Sequence, residues 1–266
     1  CITFPLKRKK KLSTYWKIVR ELRKENGELG VIFVNTFISA LLFRLGNVKK
    51  NIGYNREGRG FLLDFSPEIN YHKHYINRYA FLFNEYIGNK YVYLPELSLR
   101  YTGQKTFQFD NSHKTIALYL GGENKEFRKY PDEYAVQLLR LLNRQGYNLL
   151  LIGDENDNIK HTQYAEEARI DHLINLTART TIEGFINTIA NVDLIITIDS
   201  SALHIAAAVK TPFIALMGLS TSPTSTILPK VPLGRILKIE NNLIREEDYI
   251  RNITPDLILK TISELI

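Results

Sequence analysis

Residues 194–217 read LIITIDSSALHIAAAVKTPFIALM, and this stretch decides the fold. Leu194 to Ile198 and Phe213 to Met217 are short runs apolar on both faces, the pattern of strands buried inside a parallel sheet. Between them, residues 201 to 209 carry Ala at 202, 206, 207 and 208 and predict a short helix opened by Asp199-Ser200. Strand, helix and strand in so few residues form a βαβ unit, which needs helices on both sides of the sheet.

Working outward, Thr115 to Leu120 and Asn148 to Ile152 repeat the buried-strand pattern, separated by helical segments at 132 to 145, 161 to 169 and 181 to 191. Pro131 just inside the first of these helices and Gly146 just past its end supply start and stop signals. The front of the chain has the same rhythm. It offers a helix near 12 to 25, a strand Gly30 to Asn35, a helix 37 to 45, extended Asn51 to Tyr54, a helical Tyr71 to Ile87 and extended Tyr91 to Pro95. Residues 100 to 113 lack a sustained period and hold several turn formers, which places a domain boundary there: a front domain 1–112 and a rear domain 113–266. The class is doubly wound α/β, and no repeat of solenoid or propeller length is present.

At 266 residues, with 44% hydrophobic and 24% charged, the chain has the composition of a folded soluble protein large enough for two domains. Its apolar runs fall well short of the roughly 20 residues of a membrane-spanning helix. A lone Cys1 excludes an internal disulfide framework and a thiolate metal cluster, and suits a cytoplasmic location. The chain begins at Cys1 rather than Met, and Ile2 to Leu6 reads like a strand entered midway, so the expectation is an N-terminally trimmed front domain; no signal-peptide pattern opens the sequence, though a lost segment could have carried one.

Charge is unevenly spread. Residues 1–60 hold 14 Lys/Arg against 4 Asp/Glu, a net of +10, whereas the whole chain carries +7. Lys7 to Lys11 form an unbroken basic run, followed by Leu12, Tyr15, Trp16, Val19 and Leu22 at helical spacing among Lys17, Arg20, Arg23 and Lys24. Such a face suits peripheral contact with an anionic membrane or a phosphorylated acceptor, and equally a solvated flank of a core-packed helix. No nucleic-acid-binding motif accompanies the charge, so nucleic acid is not expected as a partner.

In an open parallel sheet, ligands bind beyond the carboxyl ends of the strands. Those ends carry Gly121-Gly122 with Arg128-Lys129, then Gly153-Asp154-Glu155, then Asp199-Ser200-Ser201, then Gly218 with Ser220-Thr221. Small and hydroxylated residues ahead of a helix expose backbone N–H groups to a phosphate. Arg128 and Lys129 add cations, and Glu155 offers a carboxylate to ribose hydroxyls, so the set reads as a nucleotide-diphosphate pocket. His204 follows Ser200 by one helical turn. Asp199-Ser200 also reads simply as a helix cap, and a lone His is more often structural than chemical. No Walker loop and no G-x-G-x-x-G follows a strand, which removes the kinase, ATPase and dinucleotide readings. The six His show no ligand spacing, so no metal site and no cofactor are expected.

The segment ITIDSSALHIAAAVKTPFIALMGLSTSPTSTILP (196–229) resembles the signature of glycosyltransferase family 9, the lipopolysaccharide heptosyltransferases, through Asp199, Ser200, His204, Ala206 to Ala208, Pro212, Gly218 and Pro223. In the front domain VNTFISALLFRLGNVKKNIGYNREGRGFLL (34–63) is similar to the heptosyltransferase II type, through Asn35, Phe37, Ser39, Ala40, Gly53, Tyr54 and Arg59. The resemblance implies a GT-B architecture of two Rossmann-like domains facing a cleft, the front one incomplete. It implies inverting, metal-independent transfer of heptose from ADP-heptose to an anionic inner-core acceptor. It places Gly121, Gly122, Arg128, Lys129, Glu155, Asp199, Ser200, Ser201, His204 and Gly218 on the donor, and Asn35, Ser39 and Arg59 on the acceptor side. Two departures stand out: Ser201 replaces the family's glycine, and the family's base-bearing first strand has no counterpart after Cys1. Glu21, Glu25, Glu28 and Glu57 read as surface positions, so the catalytic base is unassigned. A non-catalytic sugar-nucleotide or glycan-binding relic of the same fold is the alternative.

Overall fold

The computed structural model describes residues 12–92, 96–110, 112–121, 127–219, 228–229, 231–239 and 245–266. The basic run Lys7–Lys11, Gly122, Ser220-Thr221 and Pro223 lie outside the described residues. Contacts divide the chain into two compact units that separate between Pro95 and Glu96.

In the first unit, α1 (Leu12–Glu25) precedes strand β1 (Leu29–Ile32), helix α2 (Phe37–Leu45) and strand β2 (Lys50–Gly53), with β1 and β2 parallel in the register Leu29 to Lys50. Helix α3 (Tyr75–Tyr86) packs on β2. The strand expected through Asn35 stops at Ile32, because the carbonyls of Val34 and Thr36 are drawn aside by the Arg59 guanidinium. The helix expected from Tyr71 begins at Tyr75, where the His74 ring caps the Ile76 N–H.

The second unit holds a six-stranded, wholly parallel sheet of β3 (Thr115–Tyr119), β4 (Asn148–Leu151), β5 (Leu173–Asn175), β6 (Leu194–Ile198), β7 (Phe213–Leu216) and β8 (Gly234–Leu237). Their spatial order is β5-β4-β3-β6-β7-β8, the doubly wound order in which the chain reverses direction between β3 and β6. Helices α4 (Asp132–Arg144), α5 (Asn158–Ala168) and α8 (Pro255–Ile262) pack together, and α6 (Ile182–Ala190) packs with α7 (Ser201–Val209). Ile116, Leu118, Leu149, Leu151, Leu194, Ile196, Ile214 and Leu216 join α4 and α8 in one core. Their alternate neighbours, Ala117, Leu150, Ile195 and Ala215, are equally buried and face the other way. All of β3, β4, β6 and β7 is thus buried on both faces, which is why these strands read as continuous apolar runs.

Helix α4 shows how the sequence sets this packing. Ala135, Val136, Leu138, Leu139 and Leu142 fall on one stripe and are buried, while Asp132 and Glu133 lie in the first turn and Arg144 in the last, matching the helix dipole. Burying each leucine contributes roughly 1.5–3 kcal/mol, so Leu139→Ala alone removes a large part of the helix's anchorage. Residues 96–112 belong to this second unit. Leu99 N–H donates to Ala208 O, Gly103 N–H to Asn187 Oδ1, and Thr106 meets Thr188 at 2.6 Å. These bonds place the contact boundary ahead of the turn-rich stretch.

Candidate functional site

Three helical starts converge beside the β3/β6 switch point. Ser200 has extended backbone and caps α7, its Oγ accepting the Ala202 N–H at 3.2 Å while lying 3.0 Å from Thr197 Oγ1. Thr181 caps α6 by accepting the Gly184 N–H at 3.0 Å. Asp154 caps the 3-10 turn that leads into α5: its Oδ1 accepts the Asn156 N–H at 2.8 Å and its own N–H donates to Asp157 Oδ2 at 3.0 Å. A cap satisfies only part of a first turn's donors, so the starts of α6 and α7 keep further N–H groups, whereas the Asp154 turn has its Asp154, Asn156 and Asp157 N–H groups bonded within itself.

The starts line a cavity of about 380 Å³ formed by Tyr119, Gly153, Asp154, Thr180, Thr181, Ile182, Phe185, Ser201 and Ile205. Gly153 is required here, since a Cβ would stand 2.8 Å from Asp157 Oδ2 and 3.0 Å from the Tyr119 ring. The Tyr119 ring meets Phe185 edge-on at 6.4 Å and its hydroxyl lies 3.5 Å from Asp154 Oδ2. Burial, then the Asp157 and Asp154 carboxylates, push the Tyr119 phenol well above its ordinary range, so it stays protonated and donating.

Of the residues singled out in the sequence, Ser201 lines this cavity, and Glu155 is exposed next to Asp154 at its rim. Ser201 opens α7 as an ordinary helical residue, so the family's glycine is not needed there for backbone reasons. Asp199 joins β6 to the α7 cap, and His204 stands on α7 one turn beyond Ser200. Gly121, two residues past β3, has φ of 80°, a conformation glycine adopts freely.

Gly218, Arg128 and Lys129 form a second group. A Cβ on Gly218 would lie 2.6 Å from the Phe127 carbonyl, so glycine lets the segment bearing Arg128 run against the end of β7. Tyr130 anchors that segment: fully buried, it donates its N–H to Leu120 O and its hydroxyl to Ile253 O at 2.8 Å. Lys129 is held by Asp132 at 2.7 Å in a cavity of about 310 Å³ with Phe127, Glu133, Ile250 and Arg251. Arg128 is half-buried, and among the described residues it makes no ion pair.

The front residues Asn35, Ser39 and Arg59 are brought together. Arg59 is fully buried, its Nε–H donating to Tyr54 O at 2.9 Å and its Nη2 to Asn35 Oδ1 at 3.0 Å. Its Nη1 serves Val34 O, Thr36 O at 3.3 Å and Ser39 Oγ at 2.9 Å. Burial lowers the pKa of Arg59 from its ordinary value. Its donors are thus spent on the loop after β1, which it shapes from beneath. Glu57 is exposed, and its Oε2 accepts the Phe37 N–H at 2.9 Å at the start of α2. Among the described residues no three His, Cys, Asp or Glu side chains converge as a metal site.

Sequence reading missed Tyr119, Thr180, Thr181, Phe185 and Ile205 as cavity residues. Thr181 carries a usable signal, a hydroxyl directly ahead of a helix, but the apolar members look like core in any periodicity analysis.

A doubly wound sheet with helical starts facing its switch-point cavity defines a Rossmann-like α/β protein. The profile of glycosyltransferase family 9 (heptosyltransferase) matches residues 15–247. Lipooligosaccharide heptosyltransferase 2 of Haemophilus influenzae is 26% identical over 281 residues, covering 96% of this chain and 81% of that protein. The structure of Escherichia coli ADP-heptose lps heptosyltransferase II superposes with a TM-score of 0.80 at 22% identity, over 96% of this chain and 81% of that one. An E. coli heptosyltransferase solved with ADP-2-deoxy-2-fluoro heptose gives a TM-score of 0.70 at 16% identity, over 96% and 78%. The chain belongs to glycosyltransferase family 9, and is a glycosyltransferase with the GT-B fold of the heptosyltransferases. The family's activity is heptosyl transfer in lipopolysaccharide biosynthesis.

Proposed function

We propose that the chain transfers a heptose from ADP-heptose to an inner-core lipopolysaccharide acceptor, with inversion at the anomeric carbon and without a metal ion. The observation that carries this reading is the convergence of the α6 and α7 starts, capped by Thr181 and Ser200, on one cavity, an environment that favours an anionic leaving group. The nucleotide lies against Tyr119 and Phe185, the ribose meets Glu155, and the diphosphate faces Gly121, Asp199, Ser200, Ser201 and His204. Arg128, which forms no ion pair among the described residues, and the N–H groups of α7 take up the charge that develops on the diphosphate as its bond to the anomeric carbon breaks. Lys129 and Gly218 hold the Arg128 segment in place. An acceptor hydroxyl attacks that carbon from the opposite face, and its proton passes to a base not assigned among residues 1–266. Asn35, Ser39 and Arg59 shape the acceptor side.

The reaction is placed in the cytoplasm, at the inner face of the membrane. No described helix is long and apolar enough to cross a membrane, but Leu12 and Trp16 are exposed on α1 beside Lys17 and Arg20, a face suited to anionic lipid.

The test incubates the full-length protein with ADP-heptose and heptose-free lipopolysaccharide, with and without EDTA, and follows the product by mass spectrometry and its anomeric configuration by NMR. ADP binding is measured alongside by calorimetry. Mass gain of one heptose with inverted configuration, unaffected by EDTA, is the expected result. A chain that binds another nucleoside diphosphate and not ADP overturns the donor assignment, and loss of ADP binding in EDTA overturns the metal-free one.

A further inference from the structure

A ribbon of aromatic rings crosses the first unit where β1 and β2 end. Phe33 follows β1 directly and meets Tyr79 edge-on at 5.4 Å, and Tyr79 lies 6.1 Å from Tyr75. The Arg78 guanidinium sits 4.6 Å from the Tyr75 ring centre and 5.2 Å from that of Tyr71, and Arg56, just beyond β2, covers Tyr71 at 5.4 Å. Phe33, Tyr71 and Tyr75 nonetheless remain 51%, 48% and 38% exposed. A contiguous run of exposed rings is unusual on a soluble protein and marks a surface that something covers.

The ribbon is built rather than incidental. Arg78 is buried and donates to Lys73 O at 2.8 Å and Tyr71 O at 2.5 Å, while the Tyr54 hydroxyl donates to Arg78 O. These bonds hold the backbone at Tyr71 and Lys73, and the Arg78 guanidinium rests against the Tyr75 and Tyr71 rings, so less ordering is left to be done at binding. Arg56 is exposed, and among the described residues it makes no ion pair. The ribbon also lies at the carboxyl edge of a parallel β-strand pair, the edge at which open α/β sheets take ligands.

We propose that this ribbon seats an anionic sugar of the acceptor: the C–H face of the sugar ring stacks on Phe33 and Tyr75, and its phosphate or carboxylate meets Arg56, which Tyr71 holds in place. The inference rests on the acceptor reading given above and adds where the saccharide sits. The chemistry is complementary on both counts. Sugar C–H groups carry partial positive charge against the negative face of an aromatic ring, and an anionic substituent is drawn to a guanidinium within a segment whose net charge is +10.

The experiment titrates immobilised full-length chain with heptose-free lipopolysaccharide micelles and, separately, with phosphatidylglycerol vesicles and with ADP. Phe33→Ala and Tyr75→Ala are expected to weaken micelle binding roughly five- to tenfold, Tyr75→Phe to restore it, and Arg56→Gln to lose affinity for native but not for dephosphorylated micelles. ADP affinity, read out in the second unit, stays unchanged in all four, and the urea midpoint of Trp16 fluorescence reports that the first unit is folded. Unchanged micelle binding in folded Phe33→Ala and Tyr75→Ala overturns the proposal. So does an equal loss on phosphatidylglycerol vesicles, which makes the ribbon a lipid-facing surface. A wild-type chain that binds ADP but no micelles overturns the ribbon and leaves the donor reading standing. One that binds micelles through the ribbon but no ADP does the reverse.

Discussion

Arg59→Met removes a buried charge around which the loop after β1 is wrapped, and its cost follows from the contacts. The guanidinium serves Tyr54 O, Val34 O, Thr36 O, Asn35 Oδ1 and Ser39 Oγ from a fully buried position. Each hydrogen bond to a charged donor contributes about 1.5–3 kcal/mol, though Thr36 at 3.3 Å sits at the weak end. Against this, methionine recovers the desolvation cost of the ion, several kcal/mol, and the loop relaxes to admit water. The balance is a loss of about 3 kcal/mol, confined to the first unit. Trp16, the only tryptophan, lies on α1 in that unit, so its fluorescence in urea reports the right transition. With a urea dependence of about 1–1.5 kcal/mol/M, the midpoint falls by about 2–3 M. Arg59→Lys, which keeps the charge but not the fork of donors, falls between. A Trp16 midpoint within experimental error of wild type for Arg59→Met would refute the reasoning.

Three further outcomes are expected. Arg128→Ala weakens ADP binding by roughly 1.5–3 kcal/mol, the value of one charge-assisted hydrogen bond, and calorimetry on the folded variant measures it. His161 is buried with Nδ1 2.7 Å from Thr177 Oγ1, and burial lowers its pKa to about 4. The unfolded chain therefore binds the proton more readily. This part of the stability is complete above about pH 6.5 and declines as pH falls toward 4, by up to about 3 kcal/mol, a dependence that His161→Phe abolishes in denaturation curves taken across that range. Lys17→Glu with Arg20→Glu, both exposed on α1, reduces cosedimentation with phosphatidylglycerol vesicles and leaves ADP affinity unchanged; equal cosedimentation removes α1 from the membrane reading.

The sequence revealed most where a residue's role is local. Gly146 lies just past α4 as a stop signal requires, while Pro131, expected just inside the helix, stands one position ahead of it at the cap; the four doubly buried strands stand out because only Thr197 interrupts their apolar runs, Thr115 and Asn148 lying at strand starts. It revealed least at the sheet's rims. β5 is only Leu173–Asn175 and half-buried, and β8 is Gly234–Leu237 with Arg235 and Ile236 exposed, so neither carries a hydrophobic run long enough to read. Helix α5 starts at Asn158 rather than 161, because the Asp154–Asp157 capping pair initiates it earlier than its apolar spacing does. At the cavity, hydroxyl and glycine positions were legible from helix-start chemistry, whereas Tyr119, Phe185 and Ile205 were not. An aromatic at a strand end and an apolar residue on a helix have the same periodicity whether they face a core or a ligand. Arg59 was legible as a notable residue but not as a buried one, since arginine is rarely interior without a full set of acceptors, and three of its five acceptors are backbone carbonyls that no sequence displays.

The central position of β3 has a consequence for how the chain is made. Ile116 of β3 pairs on one side with Leu149 and on the other with Leu194. As the polypeptide leaves the ribosome, β3, β4 and β5 can assemble while β6 is still unsynthesised, so the strand that ends in the middle of the sheet is for a time its open edge. That edge is apolar, unpaired along every N–H and C=O on one side, and a template for any passing strand. Nascent chains halted just before Leu194 should therefore aggregate or recruit chaperones more strongly than chains halted after Leu216, where β6 and β7 have closed over it.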